Sequence, residues 1–173
     1  MSNYKALLQN VDTFIFDYDG VMTDGRVILM EDGQPLRMAN VKDGYVLQLI
    51  VKLGFNVVII SGGFSRSMEN RFESLGIKDV YLGTKNKEVV LDNYLKERNI
   101  NPDHVVYMGD DIPDYRVMQL VGIPVCPADA AEEIKKISIY ISDKNGGEGC
   151  VRDIIEQVLK VQGKWMSEEA YSW

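Results

Sequence analysis

The stretch that decides the fold is Thr13-Phe14-Ile15-Phe16, a short and mostly apolar run that is followed at once by Asp17-Tyr18-Asp19-Gly20. An uninterrupted run of this length is typical of a parallel strand that is buried on both faces of a sheet. Similar runs occur further along the chain, at residues 56–60, 80–82, 105–108, 123–125 and 139–141. The sequence therefore predicts a sheet built from these runs.

Segments in which apolar residues recur at helical spacing separate the runs. They cover residues 44–53, 65–75, 87–98, 114–121, 130–137 and 150–161. The alternation predicts a parallel sheet with crossover helices on both faces, which is a doubly wound, three-layer α/β fold of the Rossmann type. We expect residues 1–161 to form one domain and residues 162–173 to form a polar C-terminal tail, whose two tryptophans indicate that it docks on a protein surface.

Residues 26–38 interrupt this alternation. Four apolar residues at 27–30 are followed by Glu31-Asp32-Gly33 and then by Leu36 and Met38, which predicts a β-hairpin inserted after the first strand. The hairpin carries apolar residues on both faces, and a monomer would leave them partly exposed. We therefore expect the hairpin to pack between the protomers of a homo-oligomer.

Composition and charge exclude several classes of protein. The 173 residues include 19 Lys and Arg against 26 Asp and Glu with no basic stripe, so we expect no nucleic-acid partner. The apolar runs are far shorter than the roughly 18 residues that span a bilayer, and no charged-then-apolar leader precedes the first strand. Cys126 and Cys150 are too few for a zinc site or a disulfide framework. These features predict a cytoplasmic protein without a membrane partner.

Polar residues follow several of the predicted strands or begin the helix that comes next. Ligands of open α/β sheets bind at the carboxyl ends of the strands, so these side chains are the candidates for a functional site. They are Asp17, Asp19, Ser61, Lys87, Asp110, Asp111 and Asp114. We expect them to converge on one edge of the sheet.

The clustered carboxylates predict a magnesium site. They would repel one another unless a divalent cation neutralised them, and oxygen-only ligands suit Mg²⁺ better than Zn²⁺. A metal-masked aspartate such as Asp17 can attack phosphorus, and a carboxyl two residues away, Asp19, can protonate the leaving oxygen and later deprotonate water. Ser61 and Lys87 would then hold the remaining phosphoryl oxygens.

Each of these motifs also has a purely structural interpretation. The pattern Asp-x-Asp-Gly alone is often a turn with an aspartate cap, and Gly109-Asp110-Asp111 is compatible with a loop that leads into a helix N-cap. A single lysine at a helix start, such as Lys87, usually faces solvent. The motifs occur together at consecutive strand ends, and that combination favours a catalytic site.

In this order and spacing, the motifs resemble the haloacid dehalogenase superfamily of phosphatases. The motifs are D-x-D-G-x-x-T-D-G at residues 17–25, Ser61, Lys87, and G-D-D-x-x-D at residues 109–114. The resemblance covers four separate strand ends and implies a Mg²⁺-dependent phosphatase on the predicted fold.

The resemblance also implies roles for individual residues. Asp17 would be the nucleophile that forms an aspartyl-phosphate, and Asp19 the general acid and base. Mg²⁺ would be held by Asp17, by the main-chain carbonyl of Asp19 and by Asp110, whereas Ser61 and Lys87 would bind phosphate. The residues implied as supporting ones are Thr23, Asp111 and Asp114.

The spacing of the motifs leaves no room for the cap domain that many superfamily members carry. The 41 residues between Asp19 and Ser61 are used up by the hairpin and one helix. The 25 residues between Ser61 and Lys87 suffice for one helix and one short strand. We therefore expect a capless protein whose open site is covered by another subunit.

A narrower resemblance covers nearly the whole chain. Residues 17–25, 40–44, 109–114, 146–152 and 162–164 look like those of the 3-deoxy-D-manno-octulosonate 8-phosphate (KDO 8-phosphate) phosphatases. The resemblance implies hydrolysis of that sugar-acid phosphate in lipopolysaccharide precursor synthesis, by a capless homotetramer. In such tetramers the hairpins assemble centrally, and the C-terminal tail of a neighbour reaches the active site.

The carboxylate of a sugar-acid substrate requires a cation of its own. Arg71, on the helix after Ser61, matches an arginine of the family and is the first candidate for this role. Lys164, on the tail of a neighbour, is the second. Gly63 departs from the family, whose members often have Arg or Glu at this position, and the departure bears on sugar specificity.

Two other functions remain open on the sequence. The nearer one is a phosphatase of a nine-carbon 2-keto-3-deoxy sugar acid 9-phosphate, of the KDN or N-acetylneuraminate type. The other is a non-catalytic protein, either a receiver-like signalling domain or an assembly module. A receiver domain also forms an aspartyl-phosphate on a doubly wound sheet, but its phosphoacceptor normally lies on the third strand, whereas Asp17 follows the first.

Overall fold

A single parallel sheet organises the computed structural model, which describes residues 4–173. Its strands lie in the order β3-β2-β1-β4-β5-β6. They are β1 Thr13–Phe16, β2 Asn56–Ile60, β3 Asp79–Tyr81, β4 Val105–Met108, β5 Ile123–Cys126 and β6 Tyr140–Ile141. The order reverses between β1 and β4, which is the switch point where open α/β sheets bind ligands.

Helices cover both faces of this sheet and complete a three-layer, doubly wound fold. They are α1 Tyr4–Leu7, α2 Val41–Lys52, α3 Arg66–Ser74, α4 Lys87–Arg98, α5 Tyr115–Met118, α6 Glu132–Ile137 and α7 Cys150–Val161. Short 3-10 turns occupy Leu8–Asn10, Pro102–His104, Ile112–Asp114 and Glu168–Tyr171. Side chains of α2, α3 and α7 pack on one face, and those of α4, α5 and α6 pack on the other. None of the helices within the described residues is long and apolar enough to cross a bilayer.

The central strand β1 shows why its sequence is continuously apolar. Phe14 and Phe16 are fully buried against α2 and α7, whereas Ile15 is fully buried in the opposite layer. A strand that is covered on both faces has no solvent-facing position, so the usual alternation of apolar and polar residues disappears. The predicted strand and its parallel neighbours are thereby confirmed.

The helix boundaries differ from the predicted ones for local reasons. Helix α2 begins at Val41 rather than at residue 44, because the Asn40 side chain accepts hydrogen bonds from the Lys42 and Asp43 amides. Helix α5 ends at Met118 rather than at 121, because the next two amides bond to carbonyls three residues back and tighten the chain into turns.

The hairpin of residues 26–38 is present as a single bridged pair. Ile28 donates its amide to the Leu36 carbonyl at 3.1 Å, and Leu36 donates back at 3.0 Å. Most apolar side chains of the segment face outward, with Leu29 84% exposed and Met38 71% exposed. No second layer of side chains covers the segment within the described residues of one protomer, and its strand pairing does not extend beyond this one pair.

The C-terminal tail docks on its own chain, against the outer surface of α2. The Tyr45 hydroxyl donates to the Ala170 carbonyl, and the Tyr45 and Trp173 rings meet edge to face with centroids 5.6 Å apart. Lys52 donates to the Ser172 carbonyl at 2.9 Å. The tryptophan therefore does pack on protein, as its presence in a polar tail predicts, but the surface it uses belongs to the same protomer.

Asp43 links α2 to α7 through a buried carboxylate. Its side chain is only 2% exposed, Oδ1 accepts the Arg152 amide at 2.8 Å, and Oδ2 has no partner within residues 4–173. Burial raises the pKa of Asp43 to about 6, although the hydrogen bond from the Arg152 amide opposes the shift.

Replacing Asp43 with asparagine should change the pH dependence of stability. The folded-state pKa of about 6 lies above the ordinary value of 3.8, so the carboxyl contributes stability below pH 4 that is lost as the pH rises through about 6. From pH 4 to pH 7, the free energy of unfolding of the wild type should fall by about 2 kcal/mol relative to that of Asp43→Asn. Urea unfolding followed by circular dichroism at a series of pH values measures this difference.

The matched control is Asp92→Asn, which removes an exposed carboxylate from α4. Its pH profile should run parallel to that of the wild type. Parallel profiles for the wild type and Asp43→Asn would contradict the assignment of Asp43 as a desolvated carboxyl.

Candidate active site

The carboxyl ends of β1 and β4 bring three carboxylates together. Asp17 follows β1 directly, and its amide donates to the Met108 carbonyl at 3.0 Å, which continues the pairing of the two strands. Asp110 follows β4 after one glycine, and Asp114 lies in the next turn. One carboxylate oxygen from each of Asp17, Asp110 and Asp114 lies within 4.8 Å of the other two.

This crowding shifts the titration of two of the carboxylates. Burial, followed by the charge of Asp114, raises the pKa of Asp17 to about 7, although Lys87 opposes the shift. Burial, followed by the charges of Asp17 and Asp114, raises the pKa of Asp110 to about 8. A divalent cation between Asp17 and Asp110 would remove this repulsion, and an all-oxygen donor set suits Mg²⁺. The residues therefore fit the cation that the sequence predicts.

Asp114 forms a buried salt bridge with Lys87 within this cluster. Its Oδ1 accepts Lys87 Nζ at 2.7 Å and the Tyr107 hydroxyl at 2.9 Å, while Lys87 Nζ also lies 3.0 Å from Asp17 Oδ1. Lys87 is 7% exposed; burial lowers its pKa, but Asp114 and Asp17 more than offset that effect and raise it. The lysine is thus a fixed positive charge beside Asp17.

Ser61 completes the wall of the cleft from the end of β2. Its side chain is buried, and its Oγ accepts the Gly63 amide at 3.1 Å. Ser61, Lys87 and the residues after β1 and β4 line a cleft of about 430 Å³. A wider groove of about 990 Å³ lies beside α2 and α7, but none of the clustered carboxylates lines it.

The loop after β1 depends on glycines that allow close approach. Gly20 has a φ of +84°, and a Cβ at this position would lie 2.0 Å from Asp110 Oδ2. A Cβ on Gly146 would lie 1.9 Å from the Gly20 carbonyl oxygen. Thr23 is fully buried, and its hydroxyl accepts the amides of Gly20 and Gly25 at 3.3 and 3.2 Å. Thr23 therefore shapes this loop rather than entering the cleft.

Arg37 is a residue at the site that the sequence interpretation missed. Its Nε donates to Asp19 Oδ1 at 2.6 Å and its Nη2 donates to Asp19 Oδ2 at 3.0 Å, so the guanidinium holds both carboxylate oxygens. The hydrogen bond to Asp19 is the main cause that raises the pKa of Arg37. The signal in the sequence is a basic residue between Leu36 and Met38, on the second arm of the predicted hairpin.

Asp111, Arg71 and Lys164 are predicted site residues that also lie apart from the carboxylate cluster. Asp111 is exposed at the rim, where its Oδ1 accepts the Ile112 amide at 2.8 Å and caps a 3-10 turn. Arg71 lies against Gly44 of α2, beside Tyr18, and does not line the 430 Å³ cleft. Lys164 Nζ lies 4.5 Å from the centroid of the Phe55 ring, which precedes β2 and so belongs to the opposite edge of the sheet from Ser61.

Replacing Gly20 with alanine should weaken Mg²⁺ binding while the fold survives. The new Cβ would displace Asp110, because it would sit 2.0 Å from Oδ2. Displacing a metal ligand or its supports typically costs about 10- to 100-fold in affinity. Isothermal titration calorimetry with MgCl₂ measures the loss, and thermal unfolding checks the fold.

Gly54→Ala is the matched control for this substitution. Gly54 has almost the same φ, +83°, but a Cβ there meets nothing within 4 Å. Both variants carry roughly the same left-handed strain of about 1–2 kcal/mol, and only Gly20→Ala touches the carboxylates. Equal Mg²⁺ affinities for the two variants would contradict a cation site at Asp110.

Known proteins resemble this chain over nearly its whole length. A family model for haloacid dehalogenase-like hydrolases matches residues 76–154. The 3-deoxy-D-manno-octulosonate 8-phosphate phosphatase KdsC of Escherichia coli BL21-DE3 is 35% identical over 163 residues, which cover 94% of this chain and 87% of that protein.

Solved structures agree with the sequence comparison. The 3-deoxy-D-manno-octulosonate 8-phosphate phosphatase of Yersinia pestis has a TM-score of 0.91 at 33% identity and covers 94% of this chain and 88% of its own. That of Moraxella catarrhalis, in complex with a magnesium ion, a phosphate ion and a KDO molecule, has a TM-score of 0.91 at 30% identity and covers 95% of each chain. With such coverage at this level of identity, the chain belongs to the haloacid dehalogenase-like hydrolase family and is a phosphatase.

Proposed function

We propose that this enzyme hydrolyses 3-deoxy-D-manno-octulosonate 8-phosphate to the free sugar acid and phosphate, with Mg²⁺ as its cofactor, in lipopolysaccharide precursor synthesis. The observation that carries the proposal is the position of Asp17, which lies between Lys87 and Asp110 at the switch point of the sheet. The relatives in Escherichia coli, Yersinia pestis and Moraxella catarrhalis bear this activity in their names, and the last of these binds KDO, phosphate and magnesium.

The geometry supports a mechanism in two steps. Asp17 Oδ1 accepts the Tyr18 amide at 2.7 Å and lies 3.0 Å from Lys87 Nζ, and these contacts orient the carboxylate that attacks phosphorus. Asp19 protonates the sugar oxygen as the bond from phosphorus to that oxygen breaks, and an aspartyl-phosphate forms on Asp17. Asp19 then takes a proton from the water that hydrolyses this intermediate.

Charge on the phosphoryl group is held from two sides during both steps. Lys87 Nζ, fixed by Asp114, and the Ser61 hydroxyl bind phosphoryl oxygens at the wall of the cleft. Mg²⁺, held by Asp17, Asp110 and the Asp19 carbonyl, supplies the positive charge that lets an anionic nucleophile approach an anionic phosphate. Thr23 and Asp111 support the loops that carry these groups.

The nine-carbon sugar-acid 9-phosphate remains the second candidate substrate, because Gly63 stands where family members often have Arg or Glu, and this departure bears on sugar specificity. A non-catalytic receiver-like or assembly role is not supported, since the chain is a phosphatase of its family. Arg71 and Lys164 stay predictions as carboxylate-binding residues. Lys164 lies at the amino end of β2 in its own chain, whereas the cleft lies at the carboxyl ends of the strands, so Lys164 could serve only the site of another protomer.

The outward-facing hairpin supports a homotetramer as the working assembly. Residues 1–161 would form the phosphatase domain of each protomer, the hairpins would meet centrally, and residues 162–173 would form the tail. Leu29 and Met38 expose 84% and 71% of their surface, which is unusual for large apolar side chains unless a partner covers them. The two free, buried cysteines, Cys126 and Cys150, are compatible with the reducing cytoplasm.

Steady-state kinetics on purified substrates test the proposed reaction. The wild type should show a higher kcat/KM for 3-deoxy-D-manno-octulosonate 8-phosphate than for the nine-carbon 9-phosphates. Asp17→Asn should abolish phosphate release, and Asp19→Asn should reduce kcat about 10²- to 10⁴-fold, because each removes one of the two reacting groups. EDTA should stop the reaction and excess Mg²⁺ should restore it.

Asp92→Asn, a surface carboxylate on α4, is the control for these substitutions and should retain wild-type kinetics. A clear preference for a nine-carbon substrate would overturn the choice of sugar. Undiminished turnover by Asp17→Asn would overturn the mechanism.

Removing one exposed apolar side chain should weaken the assembly. Leu29→Asp places a charge on the hairpin, and we expect the tetramer to dissociate at micromolar concentration, since a buried unpaired charge costs several kcal/mol. Analytical ultracentrifugation measures the mass. Leu120→Asp, a half-exposed leucine beyond α5, is the control and should keep the wild-type mass. A monomeric wild type, or identical masses for all three proteins, would contradict a hairpin interface.

A further inference from the structure

The Arg37 side chain occupies both oxygens of the carboxylate that must act as acid and base. Its Nε and Nη2 lie 2.6 and 3.0 Å from Asp19 Oδ1 and Oδ2. A planar guanidinium that grips a carboxylate in this way forms one of the strongest pairs available to side chains. Asp19 cannot hand a proton to a leaving oxygen while both of its oxygens accept from Arg37, so the pair must open during the reaction.

Gly63 provides the space in which this pair forms. A Cβ on residue 63 would lie 2.8 Å from Asp19 Oδ2 and 3.1 Å from Arg37 Nη2. Any larger residue would push the guanidinium away from Asp19. The absence of a side chain at position 63 therefore permits the pair between Arg37 and Asp19.

Arg37 does not itself line the cleft, but it contacts Asp19, which does. Asp17, Ser61 and Lys87 form the phosphoryl end of the cleft, and Asp19 has to contact the oxygen between phosphorus and sugar. The side chain of Arg37 is 9% exposed, against 35% for Asp19, so it forms a shielded positive charge next to the sugar position. A guanidinium has five donors, and only three of those of Arg37 have acceptors within the described chain, Asp19 Oδ1, Asp19 Oδ2 and the Pro35 carbonyl at 3.4 Å.

We propose that Arg37 binds the carboxylate of the sugar-acid substrate, and that this carboxylate replaces Asp19 on the guanidinium. The inference rests on the proposed function and deepens it. One carboxylate is exchanged for another, so the net charge around Arg37 does not change. The released Asp19 carboxylate takes up a proton from solvent and then donates it to the leaving oxygen; it recovers a proton from the water that hydrolyses the aspartyl-phosphate. A phosphate ester without a carboxylate must break the Arg37 pair with nothing to replace it, and is a poor substrate for that reason.

The test compares two substrates across variants of Arg37. One is 3-deoxy-D-manno-octulosonate 8-phosphate, and the other is its analogue with CH₂OH in place of the carboxylate. Arg37→Gln should lower kcat/KM for the acid by roughly 30-fold or more, the usual result of removing one partner of a shielded charge pair. For the alcohol it should leave kcat/KM unchanged or raise it, since Asp19 is no longer held. Arg37→Lys keeps the positive charge but loses the paired donors of the guanidinium. Its kcat/KM for the acid should lie between those of the wild type and Arg37→Gln.

Binding provides a readout that does not depend on turnover. Isothermal titration of the free sugar acid should show weaker affinity for Arg37→Gln than for the wild type. Arg26→Gln, an exposed arginine of the same segment, is the matched control and should leave both substrates and the binding unchanged. Lys85→Gln tests the exposed lysine that also lines the cleft. Circular dichroism and thermal unfolding establish that each variant is folded.

The outcomes separate this inference from the proposed function. If Arg37→Gln loses activity equally on the acid and the alcohol, Arg37 only positions Asp19 and the inference is wrong, while the proposed function stands. The same conclusion follows if Lys85→Gln, or Arg71→Gln at the residue that the sequence predicts for this role, shows the acid-specific loss instead. If the wild type prefers a nine-carbon acid but Arg37→Gln abolishes the preference for acids over alcohols, the inference stands and the choice of substrate is wrong.

Discussion

Mutual repulsion among Asp17, Asp110 and Asp114 is the constraint that the surrounding structure has to satisfy. The parallel strands β1 and β4 end side by side, so the side chains that follow them lie close together. Burial is the first cause that raises the pKa values of Asp17 and Asp110, and the charges of the neighbouring carboxylates raise them further. The protein supplies one fixed positive charge, Lys87, and leaves a divalent cation to provide the rest. A site that is costly without its cation is also one that binds the cation well.

The sequence predicted the elements that show a helical or strand pattern, and the functional side chains that directly follow a strand. Strands β1, β2 and β4 have the expected bounds because a strand covered on both faces must be apolar throughout. The side chains after β1, β2 and β4 line one cleft because strand order alone brings them together. Helix α5 is shorter than its apolar spacing suggests, since backbone bonds three residues back replaced the helical ones.

The position of Arg37 at the site could not be predicted in the same way. Residues 26–38 leave the sheet and return to it, and no helical or strand periodicity indicates where their side chains lie. Its partner, Asp19, is eighteen residues earlier, and only the folded path of residues 26–38 brings the two together. The docking of the tail on its own chain is a similar case. A tryptophan in a polar tail indicates that the tail packs on a protein surface, but it does not indicate which surface.

The packing of Gly146 on Gly20 has a consequence for the order in which the chain becomes competent. The glycine-rich turn before α7 braces the backbone of the loop after β1, and Gly147 donates its amide to the Val21 carbonyl at 2.9 Å. On the ribosome, the loop leaves the exit tunnel long before its brace is translated. The loop after β1 therefore lacks this packing and this hydrogen bond until residues 146 and 147 have been made.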